Sequence, residues 1–335
     1  MRGRGGYLLS KVGWALLTIF VVVTFNFILF RVLPGDPAKA GIRDPRLNPD
    51  AQAALTIRFG LDKPTFLNFE SGDPFDSQYF AYLGALAQGD LGQSYAFRDR
   101  EVGDMLGHAL VNTIILILPA QLIAIVIGIL LGLLAAWRRG SSLDVSALIF
   151  SLFTWSLPTF FLGIILLFLG AQWFGLPTAG RSTIGAEYAS FIDEWLDIGR
   201  HLLLPTLTFT LVLLGEYMLI MRSSVIDIFS EDYILTAKAK GLSTYRIIKD
   251  HAMRNAMLPM VTLIALNLGF TVSGAIQVES VFSWPGIGAL TVQAVGQRDY
   301  PVLQGAFLLL ALAVVIANLI AELIYGWLDP RVTEA

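Results

Sequence analysis

Six stretches of the chain are almost wholly apolar for about 20 residues or more, the length an α-helix needs to cross a ~30 Å hydrocarbon layer. They cover 12–32, 110–137, 145–174, 201–221, 256–282 and 303–327. Polar residues gather between them in short connectors and in two longer segments, 34–109 and 222–255. The pattern predicts an all-α integral membrane protein with six transmembrane helices. Composition agrees: 55% of residues are apolar and 15% charged, against about 25% charged in soluble domains. Mean hydropathy is +0.66, which excludes an ordinary soluble enzyme.

Charge supplies the orientation. The segment before the first stretch, those between the second and third and between the fourth and fifth, and the one after the sixth hold 12 Lys/Arg and 7 Asp/Glu. The opposite segments hold 10 Lys/Arg and 16 Asp/Glu. The positive-inside rule therefore puts both termini in the cytoplasm, and an even number of spans agrees. A cleaved signal peptide is the competing reading, because Arg2, Arg4 and Lys11 precede an apolar run and Ala38-Lys39-Ala40 resembles a cleavage site. That run exceeds the 7–15 residues of a signal core, so a retained span is expected.

Chemistry is sparse. The absence of cysteine excludes disulfides, thiolate catalysis and thiolate metal sites. His108, His201 and His251 are not at ligand spacing; no metal site and no catalytic set are expected. Three acids, Glu216, Glu279 and Glu322, lie within apolar stretches, where an ionisable group marks a functional site by default. Glu279 and Glu322 sit near span ends, from which a side chain can reach the interface. Glu216 is deeper, and with Asn267, Ser273 and Gln277 it makes the candidate translocation pathway. The missing mid-span lysines argue against a proton or ion relay.

Small residues predict helix contacts. Ala124, Gly128 and Gly132 recur every four residues and let another helix approach closely, within this chain rather than across a dimer. Gly269 and Ser273 permit a second such contact. Pro119, Pro158, Pro205 and Pro259 predict kinks or helix starts. In the segment 34–109, Pro34-Gly35-Asp36-Pro37 and Asp73-Pro74 mark turns and Asn48-Pro49-Asp50 opens a helix. Leu55, Phe59, Phe66, Phe80, Tyr82, Leu83 and Leu86 give it enough apolar surface for a packed cap, a docking surface, or both.

The segment 222–255 reads as two short helices meeting at a turn. Ser230 is the expected cap of the first, with Glu231 and Asp232 in its opening turn. Lys238 and Lys240 suit its other end, and Gly241 supplies a left-handed stop. Ser243 is the expected cap of a second helix through Arg246, Ile247, Ile248 and Lys249. Physical chemistry alone leaves two readings: an amphipathic pair lying on anionic lipid, or a knob that inserts into a cytoplasmic partner.

The run Glu231-Asp232-Tyr233-Ile234-Leu235-Thr236-Ala237-Lys238-Ala239-Lys240-Gly241-Leu242-Ser243, continued by His251-Ala252-Met253-Arg254-Asn255-Ala256-Met257-Leu258-Pro259, resembles the EAA loop of ABC importer permeases in its dipeptide and oligopeptide branch. Glu279-Ser280-Val281-Phe282-Ser283-Trp284-Pro285-Gly286-Ile287-Gly288 is similar to that branch's outward turn, and Arg298-Asp299-Tyr300-Pro301-Val302 follows it. Leu33-Pro34-Gly35-Asp36-Pro37-Ala38, Gly89-Asp90-Leu91-Gly92-Gln93-Ser94, Asn318-Leu319-Ile320-Ala321-Glu322 and Leu328-Asp329-Pro330-Arg331-Val332 match as well. Two departures stand out. Leu235 and Thr236 occupy the positions of the loop's glutamate and first alanine, which removes a glutamate salt bridge there, and 66–79 looks longer than usual.

The resemblance implies a type I ABC importer permease fold and the role of a permease subunit forming half the pathway for di- or oligopeptides. Nickel complexes and oligosaccharides are alternative cargoes; a standalone secondary transporter and an intramembrane enzyme lack support in the residues. It implies four kinds of partner: a second homologous permease, two ATP-binding subunits, an extracytoplasmic solute-binding protein and the bilayer, with no nucleic acid. The chain has no Gly-x-x-x-x-Gly-Lys-Ser/Thr phosphate loop, so it needs no cofactor of its own; ATP and Mg belong to the partner ATPases. By resemblance Asp232, Thr236, Ala237, Lys238, Lys240, Gly241, Leu242, Ser243 and Arg246 couple to the ATPase. Trp284, Pro285 and Gly286 form an outer gate or a docking surface for the binding protein.

Overall fold

A computed structural model describes residues 4–31, 49–50, 56, 62–69, 72–97 and 100–328. Its elements are α1 (Arg4–Arg31), α2 (Gln78–Ala87), α3 (Val102–Trp137), α4 (Ser142–Ser156), α5 (Thr159–Phe174), α6 (Phe191–Ile228), α7 (Asp232–Ala239), α8 (Thr244–Arg246), a π-helical turn (Ile247–Ala252), α9 (Met253–Val281), α10 (Ile287–Gln297) and α11 (Tyr300–Leu328). Among the described residues the only extended pairing is a single bridge between Gln93 and Glu101.

Four helices are long and apolar enough to cross a membrane: Leu9–Arg31, Val102–Trp137, Phe191–Ile228 and Tyr300–Ile320. The third apolar stretch breaks at Pro158, where a kink or helix start is expected. It is two helices, α4 and α5, bent by 104°. The residue before a proline is pushed out of the helical region, and Leu157 has ψ 134 ahead of Pro158. The described residues thus give four spans, or five if the bent pair is one, where the pattern predicts six. The remaining stretch, 256–282, falls on the 29-residue α9. Pro119, Pro205 and Pro259 lie inside helices.

The chain divides into two compact units. One comprises Met1–Val111 and Ala289–Ile316. In it the buried Phe27 of α1 meets the rings of Phe66, Tyr79 and Tyr82, so these residues of 34–109 pack against the first span, while Phe69 and Phe75 stay exposed. Pro49, Asp50 and Thr56 are helical; the residues between and directly after them, and Ala38-Lys39-Ala40, lie outside the described residues. The buried Asp299 carboxylate accepts from Ser94 Oγ and from the N–H groups of Tyr95 and Ala96 at 3.1 and 3.2 Å, which joins two of the motifs singled out above.

The other unit comprises Asn112–Gly288 and Ala317–Thr333. Here the small-residue stripe of α3 meets α6. A Cβ on Gly128 would lie 2.6 Å from Tyr217 Cβ, and one on Gly132 2.7 Å from Met221 Cβ. Ala124, Leu214, Tyr217, Met221, Val225, Ala256 and Met260 form the buried cluster beside it. The stripe therefore packs within the chain. Overpacking of this kind costs about 1–3 kcal/mol. Gly132→Val is accordingly expected to lower the thermal midpoint of the detergent-solubilised protein. Gly107→Ala, whose new Cβ would meet nothing within 4 Å, is expected not to; equal midpoints for both would refute the close approach.

At the other end of α6, the Asp197 carboxylate accepts from Thr183 N at 2.7 Å, Thr183 Oγ1 at 2.8 Å and Tyr188 OH at 2.6 Å. These bonds tie the 175–190 loop to the helix. The bond to Asp197 pushes the Tyr188 phenol above its usual pKa.

Candidate functional site

The two short helices expected in 222–255 exist, and local chemistry explains their shape. The chain turns after α6 at Phe229, and α7 starts without a side-chain cap at Glu231. Ser230 is not the cap: its hydroxyl turns back toward α6 and donates to Asp227 O at 2.5 Å, and Glu231 takes the cap position of α7. Gly241 ends α7 as expected, with φ +74. Its N–H reaches Lys238 O at 2.9 Å and that of Leu242 reaches Ala237 O at 3.3 Å, the paired bonds of a Schellman stop. Ser243 caps the next turn by accepting from Arg246 N. The second helix does not stop at Asn255; it widens through the π-helical turn and continues as α9.

The elbow has a small core of its own, in which Ile234, Ala237 and Ile247 are buried against Ile228, Phe229 and Leu242. Ala237, expected on the ATPase-facing side, is inside: its small side chain lets α7 sit close to the π-helical turn. Lys238 Nζ lies 5.2 Å from the Phe229 ring centroid, a cation–π contact, and Asn255 Nδ2 donates to Tyr233 OH at 2.8 Å. Asp232, Thr236, Lys238, Lys240, Gly241, Ser243 and Arg246 are exposed, and Leu242 is half-buried. Leu235 and Tyr245 are 54% and 59% exposed, so the outer face carries two large side chains: Leu235, which stands at the position of the loop's glutamate, and Tyr245, which the sequence did not single out.

Behind the elbow stands an ion pair. Arg222 Nε donates to Asp144 Oδ1 at 2.6 Å and its terminal nitrogen to Oδ2 at 2.9 Å. Asp144 is buried in the first turn of α4, which Ser141 caps, and it also accepts from Gly140 N at 2.9 Å. This two-pronged bond fastens the end of α6, the stem of the elbow, to α4.

Of the four pathway candidates, the structure brings two together. Asn267 Nδ2 donates to Glu216 Oε2 at 3.0 Å and to Tyr217 OH at 3.3 Å, and Gln121 Nε2 bonds the same hydroxyl. Tyr217 and Gln121 are buried; Glu216 and Asn267 are half-buried. Gln277 is exposed, and ten residues further along α9 it stands about 15 Å from Asn267. The Ser273 and Gly269 side-chain positions lie outside the described residues. Gln121 could have been found by the test that picked Asn267, a polar side chain within an apolar stretch.

The third candidate group changes meaning. Trp284 is fully buried, with its indole N–H donating to Asn112 O at 2.8 Å; Gly286 is buried and only Pro285 is exposed. This turn therefore packs inward instead of presenting three residues for docking. Glu279 does not reach an interface: it is fully buried, and Thr113 Oγ1 donates to it at 2.6 Å. Glu322 is half-buried on α11.

The family described as binding-protein-dependent transport system inner membrane component matches residues 128–334. Curated relatives extend the match to nearly the whole chain. The di/tripeptide transport system permease protein of Pseudomonas aeruginosa is 35% identical, covering 97% of this chain and 98% of its own length. The dipeptide transport system permease protein of Escherichia coli is 34% identical over the same shares. This chain belongs to that permease family.

As such it is a multi-pass inner-membrane component. The oligopeptide transport system permease protein of Bacillus subtilis is 31% identical over 97% of this chain and 98% of its own. A chain of the MetNI methionine ABC transporter, solved in inward-facing form, shares the permease fold with a TM-score of 0.53 and 15% identity, over 67% of this chain and 96% of its own. The family match spans α6, the elbow and α9, the elements whose packing the geometry above accounts for.

Proposed function

We propose that this permease forms half the translocation pathway of an ATP-driven importer of di- or oligopeptides. Six spans, with α9 as one of them, place both termini in the cytoplasm. They also put 34–109 outside and 222–255 inside. A second homologous permease completes the pathway, two ATP-binding subunits hold ATP and Mg, and an extracytoplasmic binding protein delivers the peptide. Closure of the ATPases pushes on the elbow, and α6 and α9 carry the displacement into the membrane.

The observation that supports this best is the elbow itself: a short helix with its own buried core, stopped sharply at Gly241, whose outer face offers Leu235, Tyr245 and several charges. An amphipathic pair resting on lipid has no need of so rigid a stop. Mild-detergent purification from the native membrane is expected to recover a second permease and phosphate-loop ATPases. Recovery of the chain alone would overturn the reading. Gly241→Val forces a β-branched residue into the left-handed region at a cost of about 1–2 kcal/mol. It is expected to reduce substrate-stimulated ATP hydrolysis severalfold while the subunits still co-purify; unchanged stimulation would remove the elbow from the coupling path.

A further inference from the structure

Glu216 is an acid inside the membrane with an unusual set of neighbours. The hydrocarbon-depth part of α6 runs from His201 to Met221, between the terminal charges Arg200 and Arg222, a length of about 30 Å. Glu216 lies six residues from Arg222, about 9 Å along the axis, and Arg222 is already engaged by Asp144. Asn267 holds Oε2, while Oε1 accepts no hydrogen bond and no cationic side chain pairs with the carboxylate among the described residues. Tyr217, held in turn by Gln121 and Asn267, anchors the arrangement to the buried core.

A carboxylate at this depth is costly to leave facing lipid, so its exposed half faces water or another protein. Amide dipoles offset only part of a full negative charge. The site is thus built to hold a carboxylate in one orientation with one oxygen open, and what complements that oxygen is a cationic donor. Peptides of different sequence share an α-ammonium, an α-carboxylate and a backbone. Of these only the ammonium, with three N–H donors and a positive charge, fits.

We propose that Glu216, oriented by Asn267 and Tyr217, binds the α-ammonium group of the peptide as it crosses the membrane. This rests on the peptide-import reading. The site is a waypoint that must release its cargo, and a half-exposed carboxylate with a single fixed oxygen suits that better than an enclosed cage.

The test uses the whole transporter, purified from its native membrane and reconstituted into liposomes with its binding protein. Uptake of trialanine and of N-acetyl-trialanine is compared in wild type, Glu216→Gln and Glu216→Asp. The binding protein is common to all, so its preference cancels in the ratio of ratios. Glu216→Gln is expected to slow trialanine by about tenfold, the loss of one charge-assisted hydrogen bond, and to change the acetylated peptide less than twofold. Glu216→Asp is expected to fall between. An equal fall for both peptides overturns the proposal and makes the carboxylate a structural or proton-carrying group; so does no effect on either. Failure of Glu216→Gln to assemble with its partners passes the decision to Glu216→Asp, for which a non-selective effect is equally fatal. Wild-type transporter that hydrolyses ATP but imports neither peptide would instead overturn the import reading beneath it.

Discussion

Replacing Arg222 with methionine is expected to destabilise the protein by about 3–5 kcal/mol, because it leaves a buried carboxylate without its partner. Asp144 would keep the Gly140 N–H at 2.9 Å and its place in the first turn of α4, a favourable position for an anion but no substitute for a two-pronged guanidinium. In thermal unfolding of the solubilised protein this is a fall on the order of 10 °C. Asp144→Asn alone is expected to cost as well, and the double variant to be more stable than Arg222→Met alone, because neither charge is then stranded. Simple additivity across that cycle would refute the pairing. The consequence reaches function through the stem of the elbow. With α6 released from α4, a push on the elbow would be absorbed at Arg222, and stimulated ATP hydrolysis is expected to fall with stability.

The apolar pattern made the helices legible, since period and length are properties of the chain itself. The ends of α7 were legible for the same reason: a left-handed glycine and a serine cap act within a few residues of where they stand. What could not be read was direction. Arg222 and Asp144 count together among the cytoplasmic-side charges, yet nothing in a count joins side chains 78 positions apart. Ala237 and Trp284 lie in the segments the resemblance picks out, but a motif names positions without saying which face they occupy, and both turn inward. Ser230 illustrates competition at short range. Its side chain can turn toward the amides ahead or toward the carbonyl behind, and it turns back to donate to Asp227 O. The bend at Leu157–Pro158 was visible as a proline, while its size depends on two consecutive residues both leaving the helical region.

Gly286→Ala is expected to be among the most damaging single-methyl additions in the molecule, costing about 3–5 kcal/mol from overpacking and a broken buried hydrogen bond together. Its Cβ would lie 2.1 Å from Glu279 Oε1 and 2.3 Å from Cδ. Glu279 has no free end to swing aside, since it is fully buried and bound by Thr113 Oγ1 at 2.6 Å, and that hydroxyl also accepts from Ile287 N at 2.9 Å. Moving the carboxylate therefore breaks a chain of bonds that holds the 282–288 turn over α3. Gly241 differs: a Cβ there meets nothing within 4 Å, so the cost of a side chain is the left-handed backbone alone. Gly286→Ala is expected to reduce the yield of folded protein sharply. Glu279→Ala, introduced beside it, should restore part of that yield by vacating the space. A variant pair in which Gly286→Ala folds as well as wild type, or in which Glu279→Ala gives no rescue, would mean that the carboxylate does not lie beneath this turn.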